Sequence, residues 1–204
     1  MRNSFLEPVA ELDLAAKLLD AAADSLLIGD RKLTASLITL ADRTEILNYT
    51  LRICSGLSDE VHRRTKLAKP LPKEARDAER MPSKEVQYSI FWRDGWRCRY
   101  CGIKVISRAA RKTLIAIFPE QTKWVPKEFQ RHTSLYAMAA SLDHIVPHSR
   151  GGKNEHSNFV TACYCCQFGR GNFTLEEVQF HDPLQRPPVV TGWDGLTRLE
   201  RFRG

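Results

Sequence analysis

Two Cys-x-x-Cys pairs constrain the fold of this chain more than any other feature of its sequence. Cys98 and Cys101 form the first pair, Cys163 and Cys166 form the second, and 61 residues separate them. Two such pairs can bring four thiolates to one tetrahedral Zn²⁺ ion. The sequence therefore predicts a structural zinc site. Cys165 is an alternative to Cys166, which is preferred because it keeps the two-residue gap. The competing interpretation is a redox pair or a chance cluster; a disulfide framework is disfavoured because no secretion signal is evident.

Positive charge is concentrated in the middle of the chain. The formal net charge of the 204 residues is +7, whereas residues 62–112 hold 15 basic and 5 acidic residues, a net charge of +10. Basic side chains displace counterions from phosphates, so this block favours a polyanionic partner such as nucleic acid. The alternative is a solvated linker that keeps the protein soluble.

The composition changes along the chain in a way that predicts three regions. Apolar residues recur at three- and four-residue steps through the first part, which predicts a helical N-terminal module over residues 1–60, for docking on a protein partner or self-association. Residues 61–83 are basic, contain three prolines and predict a linker, with a short helix near residues 74–80. Residues 84–204 are predicted to form the third domain. They include an insertion at 104–141, expected to form a strand and loop, and a C-terminal extension at 179–204.

Membrane insertion and secretion are not expected. No apolar run approaches the roughly 18 residues that a membrane helix needs, and the N-terminus lacks the apolar stretch of a signal peptide. We therefore expect a cytoplasmic protein.

An adjacent carboxylate and imidazole lie between the cysteine pairs. Asp143 and His144 sit in a short apolar segment that predicts a strand, on which neighbouring side chains point to opposite faces. A carboxylate can hold a hard divalent cation and a neutral imidazole can take a proton from water, the combination that phosphodiester hydrolysis requires. Arg150 and Arg170 are candidates for binding the nucleic-acid backbone. An isolated Asp-His dipeptide, however, is more often a structural or surface pair.

These residues occur in an order that resembles the HNH nuclease family, whose fold is the ββα-metal finger. The resemblance implies an α+β protein, in which a helical N-terminal region precedes a zinc-stabilised HNH finger with a long insertion. The matching segments are 93–102, 142–147, 150–152, 154, 157–158 and 163–172.

The resemblance assigns roles to individual positions. Asp143 matches the ligand of a catalytic Mg²⁺ or Mn²⁺, His144 the general base, and Asn158 the residue that holds the loop carrying the base. The four paired cysteines match the structural zinc ligands. Gln167 stands where the family usually has Asn or His as the second catalytic metal ligand, so metal affinity or choice can differ. His148 is a weaker candidate for a third ligand.

Three functions follow as hypotheses. The first is a metal-dependent endonuclease that acts on DNA, in a setting such as restriction or anti-phage defence. The second is a zinc-stabilised DNA-binding module without catalysis, which the Gln167 substitution motivates. The third is an accessory subunit whose N-terminal helices bind a partner that selects the target. His132, His156 and His181 are predicted to be surface residues.

Overall fold

The fold combines α-helices with a two-stranded sheet, which confirms the predicted α+β class. The computed structural model describes residues 1–55 and 69–202. Residues 61–68, the first part of the predicted linker, are outside the described ranges. The elements in chain order are α1 (Ala10–Leu27), α2 (Arg31–Leu40), α3 (Thr44–Cys54), α4 (Lys84–Arg93), α5 (Arg108–Ile117), α6 (Pro119–Thr122), α7 (Thr133–Ala137), β1 (Ala140–His144), β2 (Phe159–Cys163) and α8 (Tyr164–Arg170).

The first three helices form where apolar periodicity predicts them. The apolar face of α1 is buried, and the helix ends before Gly29, whose φ of +85° a residue with a Cβ adopts only with strain. Asp30 then caps α2, since its side chain accepts a hydrogen bond from the Leu33 amide at 2.9 Å. None of the helices in the described part of the chain is both long and apolar enough to cross a bilayer.

Strands β1 and β2 form an antiparallel pair that leads directly into α8. Asp143 lies opposite Val160 and His144 lies opposite Phe159. Cys163 ends β2 and caps α8, because its sulfur accepts from the Cys166 amide at 3.4 Å. One short β-β-α unit thus carries Asp143 and His144 on β1 and the second cysteine pair at the junction of β2 and α8.

The insertion at residues 104–141 is helical, so the expected strand and loop is wrong. Ser107 caps α5 by accepting from the Ala110 amide at 3.0 Å, and Pro119 starts α6 with its ring at a first-turn position. Ile115 and Ile117 are β-branched and favour a strand locally, but the buried residues between positions 108 and 118 are Ala110, Leu114 and Phe118. Their four-residue spacing is helical, and burial of that face outweighs local β propensity.

The N-terminal helices share one hydrophobic core with the β-β-α unit. Helix α3 packs on α8 at Gly169, where a Cβ would lie 2.6 Å from Ile53 and 2.9 Å from Phe5. Beside this contact, the Cys165 sulfur lies 3.6 Å from the Thr50 hydroxyl. The glycine on α8 therefore allows close approach of the two helices.

Candidate active site

The four paired cysteines converge on one point. Their sulfur atoms all lie within 4.8 Å of one another, and Cys101 Sγ lies 3.7 Å from Cys163 Sγ. Four thiolates around a tetrahedral Zn²⁺ lie about 3.8 Å apart, given Zn–S bonds of about 2.3 Å. The group formed by Cys98, Cys101, Cys163 and Cys166 therefore fits a zinc ion. Cys165 faces α3 instead, so the choice of Cys166 agrees with the structure.

Local backbone geometry folds the first cysteine pair into a tight knuckle. The Gly102 amide donates to the Cys98 carbonyl at 2.8 Å, and the Cys98 amide donates to the Ile103 carbonyl at 2.9 Å. Gly102 has a φ of +82°, a conformation that glycine adopts freely. The turn directs both sulfur atoms toward the second pair.

Asp143 is buried and bound on one side only. Tyr100 donates its hydroxyl to Asp143 Oδ2 at 2.9 Å, and Arg170 places Nε at 3.0 Å and Nη2 at 2.8 Å from the same oxygen. Burial, together with the negative charge of Asp143, raises the pKa of Tyr100 well above its usual value, so the phenol stays protonated and donates. Oδ1 takes no part in these contacts, which leaves it for a cation.

Arg170 lies inside the protein, whereas the sequence predicted a contact with the nucleic-acid backbone. Its side chain is 1% exposed. Besides Asp143, it donates to the carbonyls of Phe173 at 2.7 Å and Ile145 at 3.2 Å, and to that of His144. A buried guanidinium needs hydrogen-bond acceptors for its N–H groups, which these carbonyl groups provide, and Asp143 supplies the opposite charge.

His144 is held in one orientation at the end of β1. Its Nε2 atom lies 3.0 Å from Asn154 Oδ1, and its ring contacts Phe159 with centroids 4.6 Å apart. Asn154 Nδ2 donates to the Glu79 carbonyl, which turns Oδ1 toward the imidazole and assigns the proton to Nε2. Burial lowers the pKa of His144, and the hydrogen bond with Asn154 offsets this only in part. The ring is therefore neutral near pH 7, with Nδ1 able to accept a proton.

Asn158 closes the loop that follows His144. Its Oδ1 accepts from the Val146 amide at 2.8 Å, while Nδ2 donates to the carbonyls of Val146 at 3.1 Å and Lys153 at 2.9 Å. Gly152 lies against this contact, since a Cβ there would be 1.7 Å from the Val146 carbonyl oxygen. The Asn158 amide thus joins both ends of the loop.

Gln167 lies beside β1, the strand that bears Asp143, and Arg150 lies in the loop that follows this strand. Gln167 Nε2 donates to the Leu142 carbonyl at 3.4 Å, so its amide oxygen is left out of that bond. Arg150 is mostly buried and pairs with Glu177 at 2.6 Å. Its guanidinium is thus already occupied by a carboxylate, whereas the sequence predicted a contact with nucleic acid.

Part of the predicted linker forms a wall of the site. Residues 73–81 face the loop after β1 across a cleft of about 710 Å³, which Asp143, His144 and Gln167 also line. Asp77 anchors this wall by pairing with Lys153 at 2.9 Å and accepting from the Asn154 amide at 3.1 Å. The cleft also receives three basic side chains, those of Lys73, Arg76 and Arg80.

Several site residues escaped sequence reasoning. Tyr100 and Asp77 gave no signal, because their contacts join segments far apart in the chain. His148 was a weak candidate for a metal ligand, but its Nε2 lies 2.9 Å from the Asp77 carbonyl. His132, predicted to lie on the surface, is fully buried, with Nε2 at 2.8 Å from the Ile38 carbonyl.

The cysteine cluster could hold a zinc ion, and its second pair and the Asp-His pair are thus carried by adjoining parts of the β-β-α unit. Residues 132–183 match a family model described as HNH endonuclease, which confirms the resemblance drawn from the sequence. The matched segment comprises 52 of the 204 residues, and the match supports an HNH endonuclease family and, at this general level, a nuclease. Searches of curated proteins and of solved structures found no match.

Proposed function

We propose that this protein is a metal-dependent HNH endonuclease that hydrolyses DNA phosphodiester bonds. The observation that carries the proposal is the convergence of Asp143, His144 and Gln167 on one cleft that is also lined by basic side chains. Within the β-β-α arrangement of the ββα-metal finger, the four-cysteine group would hold a structural zinc ion that fixes the end of β2 relative to the knuckle at Cys98.

His144 is the general base in this proposal. Its Nδ1 atom would take the proton from the attacking water, while the bond from Nε2 to Asn154 keeps the ring in the required tautomer. The lowered pKa keeps the imidazole unprotonated at neutral pH. Asn158 would act as a positioning residue, since it holds the loop on which His144 depends.

Asp143 and Gln167 are the residues that would hold the catalytic Mg²⁺ or Mn²⁺. Carboxylate and amide oxygens suit hard divalent cations, and Asp143 Oδ1 and the Gln167 amide oxygen are not used in the internal contacts described above. A cation bound there would supply positive charge for the departing 3′ oxygen.

DNA would enter along the basic wall of the cleft. Lys73, Arg76 and Arg80 belong to the central block of positive charge and line the cleft opposite the loop after β1. Their ammonium and guanidinium groups can bind backbone phosphates without reading sequence. Arg150 would contribute only by exchanging Glu177 for a phosphate.

The direct test is cleavage of supercoiled plasmid with Mg²⁺ or Mn²⁺. We expect nicking or linearisation by the wild type and a loss of at least about 100-fold in His144→Ala. His181→Ala is the matched control, because this histidine is exposed and outside the cleft. Absence of cleavage with either cation, or equal activity in the two variants, would contradict the proposal.

A zinc-stabilised DNA-binding module without catalysis is the second candidate. The ion pair between Arg170 and Asp143 favours it, because a neutralised carboxylate attracts a cation less strongly. Salt-dependent DNA binding without cleavage under any divalent cation would support this alternative.

A protein partner would bind the N-terminal helices in either case. Apolar side chains are exposed at the end of α1 and on α2, at Ile28, Leu33 and Leu40. A partner that selects the target is compatible with a role in restriction or anti-phage defence. Size-exclusion chromatography of the wild type and of Ile28→Glu would detect self-association through this surface.

A further inference from the structure

The insertion at residues 104–141 builds a second pocket next to the active-site cleft. We call it the arginine pocket; it has a volume of about 220 Å³. Its principal side chains are Arg111 from α5, together with Trp124, Arg131 and Tyr136 from the segment that follows. The chemistry proposed above does not use these four residues, and three of them lie outside the matched segment 132–183.

Two guanidinium groups line this pocket, both beside the ring of Trp124. The guanidinium carbon of Arg111 lies 5.0 Å from the centroid of the Trp124 ring, and that of Arg131 lies 4.8 Å from the same centroid. Among the described residues, neither arginine forms an ion pair. Burial, with repulsion from Arg108 and Arg131, lowers the pKa of Arg111 to about 10. Like charges held together at a half-buried site are stabilised by an anion.

The pocket geometry holds Arg131 in place. Its Nε donates to the Val125 carbonyl at 2.7 Å and its Nη2 to the Pro126 carbonyl at 3.2 Å. Glu128, close to Arg131 in the chain, accepts a hydrogen bond from the Tyr164 hydroxyl at 3.3 Å. Arg131 is thus ordered before any ligand binds, which lowers the entropic cost of binding one.

The arginine pocket and the catalytic cleft are adjacent. Tyr164 and Gln167 line both. Strand β1 also joins them, because Ser141 lines the arginine pocket and His144 lines the cleft. Three residues of extended strand span about 10 Å, which places the two sites within reach of nearby phosphates of one DNA strand.

We propose that the arginine pocket binds a backbone phosphate of the DNA strand being cut, a few nucleotides from the scissile bond. The proposal rests on the proposed nuclease function, since it places the reacting phosphate at His144. It gives the insertion a role in positioning the substrate. Phe168 extends the same path: it stacks on Tyr164 at 5.4 Å and is half exposed, a surface on which a base could lie.

Binding measurements separate this phosphate contact from general charge. In a His144→Ala background, which prevents cleavage, Arg111→Gln should weaken binding of a short DNA duplex about tenfold. It should also reduce the slope of log K against log salt by about 0.9. Lys112→Gln is the matched control, because it removes the same charge from an exposed position on α5 outside the pocket. Equal effects of the two variants would overturn the proposal.

Neutral-phosphate scanning locates the contact on the DNA. A methylphosphonate placed a few nucleotides from the cut should weaken binding by the protein with Arg111, but not by Arg111→Gln. If every position affects both proteins equally, the phosphate subsite is wrong. If inorganic phosphate raises the melting temperature through Arg111 while DNA binding is unaffected, the pocket serves a free anion and the proposal fails.

The two proposals fail in distinguishable ways. Binding in the His144→Ala background needs no catalysis, so a wild type that binds through Arg111 without cutting contradicts only the nuclease activity. Cleavage by the wild type with no difference between Arg111→Gln and Lys112→Gln contradicts only the subsite. Zinc content and circular dichroism establish that each variant is folded.

Discussion

Arg170 holds the carboxylate of Asp143 from inside the protein. Its Nε and Nη2 atoms lie 3.0 and 2.8 Å from Asp143 Oδ2, and the tyrosine at position 100 binds the same oxygen. The carboxylate is therefore oriented before a cation binds, with Oδ1 outside these contacts. Since the arginine also neutralises its charge, Arg170 sets both the geometry of Asp143 and its affinity for a cation.

Arg170→Met should destabilise the protein by about 3–5 kcal/mol, because it leaves the Asp143 carboxylate buried without its partner. Urea unfolding monitored by tryptophan fluorescence measures the change. The double variant Asp143→Asn/Arg170→Met should recover much of the loss, since no buried charge then remains. Lys153→Met, which breaks the exposed pair with Asp77, should have little effect. Additive losses in the double variant would show that the pair is not coupled.

Zinc removal should unfold the C-terminal part of the chain. We expect about one zinc per chain by metal analysis, and loss of ellipticity when a strong chelator removes it, because the four sulfurs have no other bond joining them. Cys163→Ser should reproduce the loss. Cys165→Ala should retain zinc, since its sulfur faces Thr50; loss of zinc from this variant instead would reassign the ligands.

Stability should fall in acid because of His132. Its Nε2 donates to the Ile38 carbonyl at 2.8 Å and its Nδ1 accepts from the Leu135 amide, so protonation at Nδ1 would break the cap of α7. Burial lowers the pKa of His132. Below about pH 6.5 the unfolded chain therefore binds a proton that the folded protein does not, and stability decreases by up to about 1.4 kcal/mol per pH unit.

Unfolding free energies between pH 7.5 and 5.5 test this dependence. His132→Gln should make the curve shallower, leaving the part due to His144, whose pKa is also lowered by burial, while His181→Gln at an exposed position should leave it unchanged. Identical curves for wild type and His132→Gln would assign the acid sensitivity to another group.

Gly152→Ala should destabilise the loop that carries the general base. The added methyl would lie 1.7 Å from the Val146 carbonyl oxygen and 2.8 Å from Asn158 Nδ2, so the clamp that Asn158 forms must open. We expect a loss of about 1–3 kcal/mol, with lower nuclease activity. Gly192→Ala, where a Cβ meets no atom within 4 Å, should stay within about 0.5 kcal/mol of wild type. Equal melting temperatures would show that the loop adjusts freely.

Local sequence patterns were sufficient to predict the parts of the fold whose interactions are close in the chain. The spacing within each cysteine pair determines a knuckle, and the apolar steps of residues 10–54 determine three amphipathic helices. The prediction failed for residues 104–141. A short run with β-branched residues is compatible with either a strand or a helix, and the two are distinguished only by which residues are buried in the fold.

The electrostatics of the site, by contrast, were decided by tertiary structure. The sequence alone is compatible with a solvent-exposed Arg170. The side chain is buried because α8 packs against β1 and places Arg170 next to Asp143 and Tyr100. Asp77 lies in the site, although about 75 residues of chain separate it from Asn154, because its carboxylate accepts a hydrogen bond from the Asn154 amide. Residue types and spacings therefore determined which chemical groups the protein carries. Only packing decided which charges are neutralised and which remain available for a ligand, because burial and the choice of partner depend on segments distant in sequence.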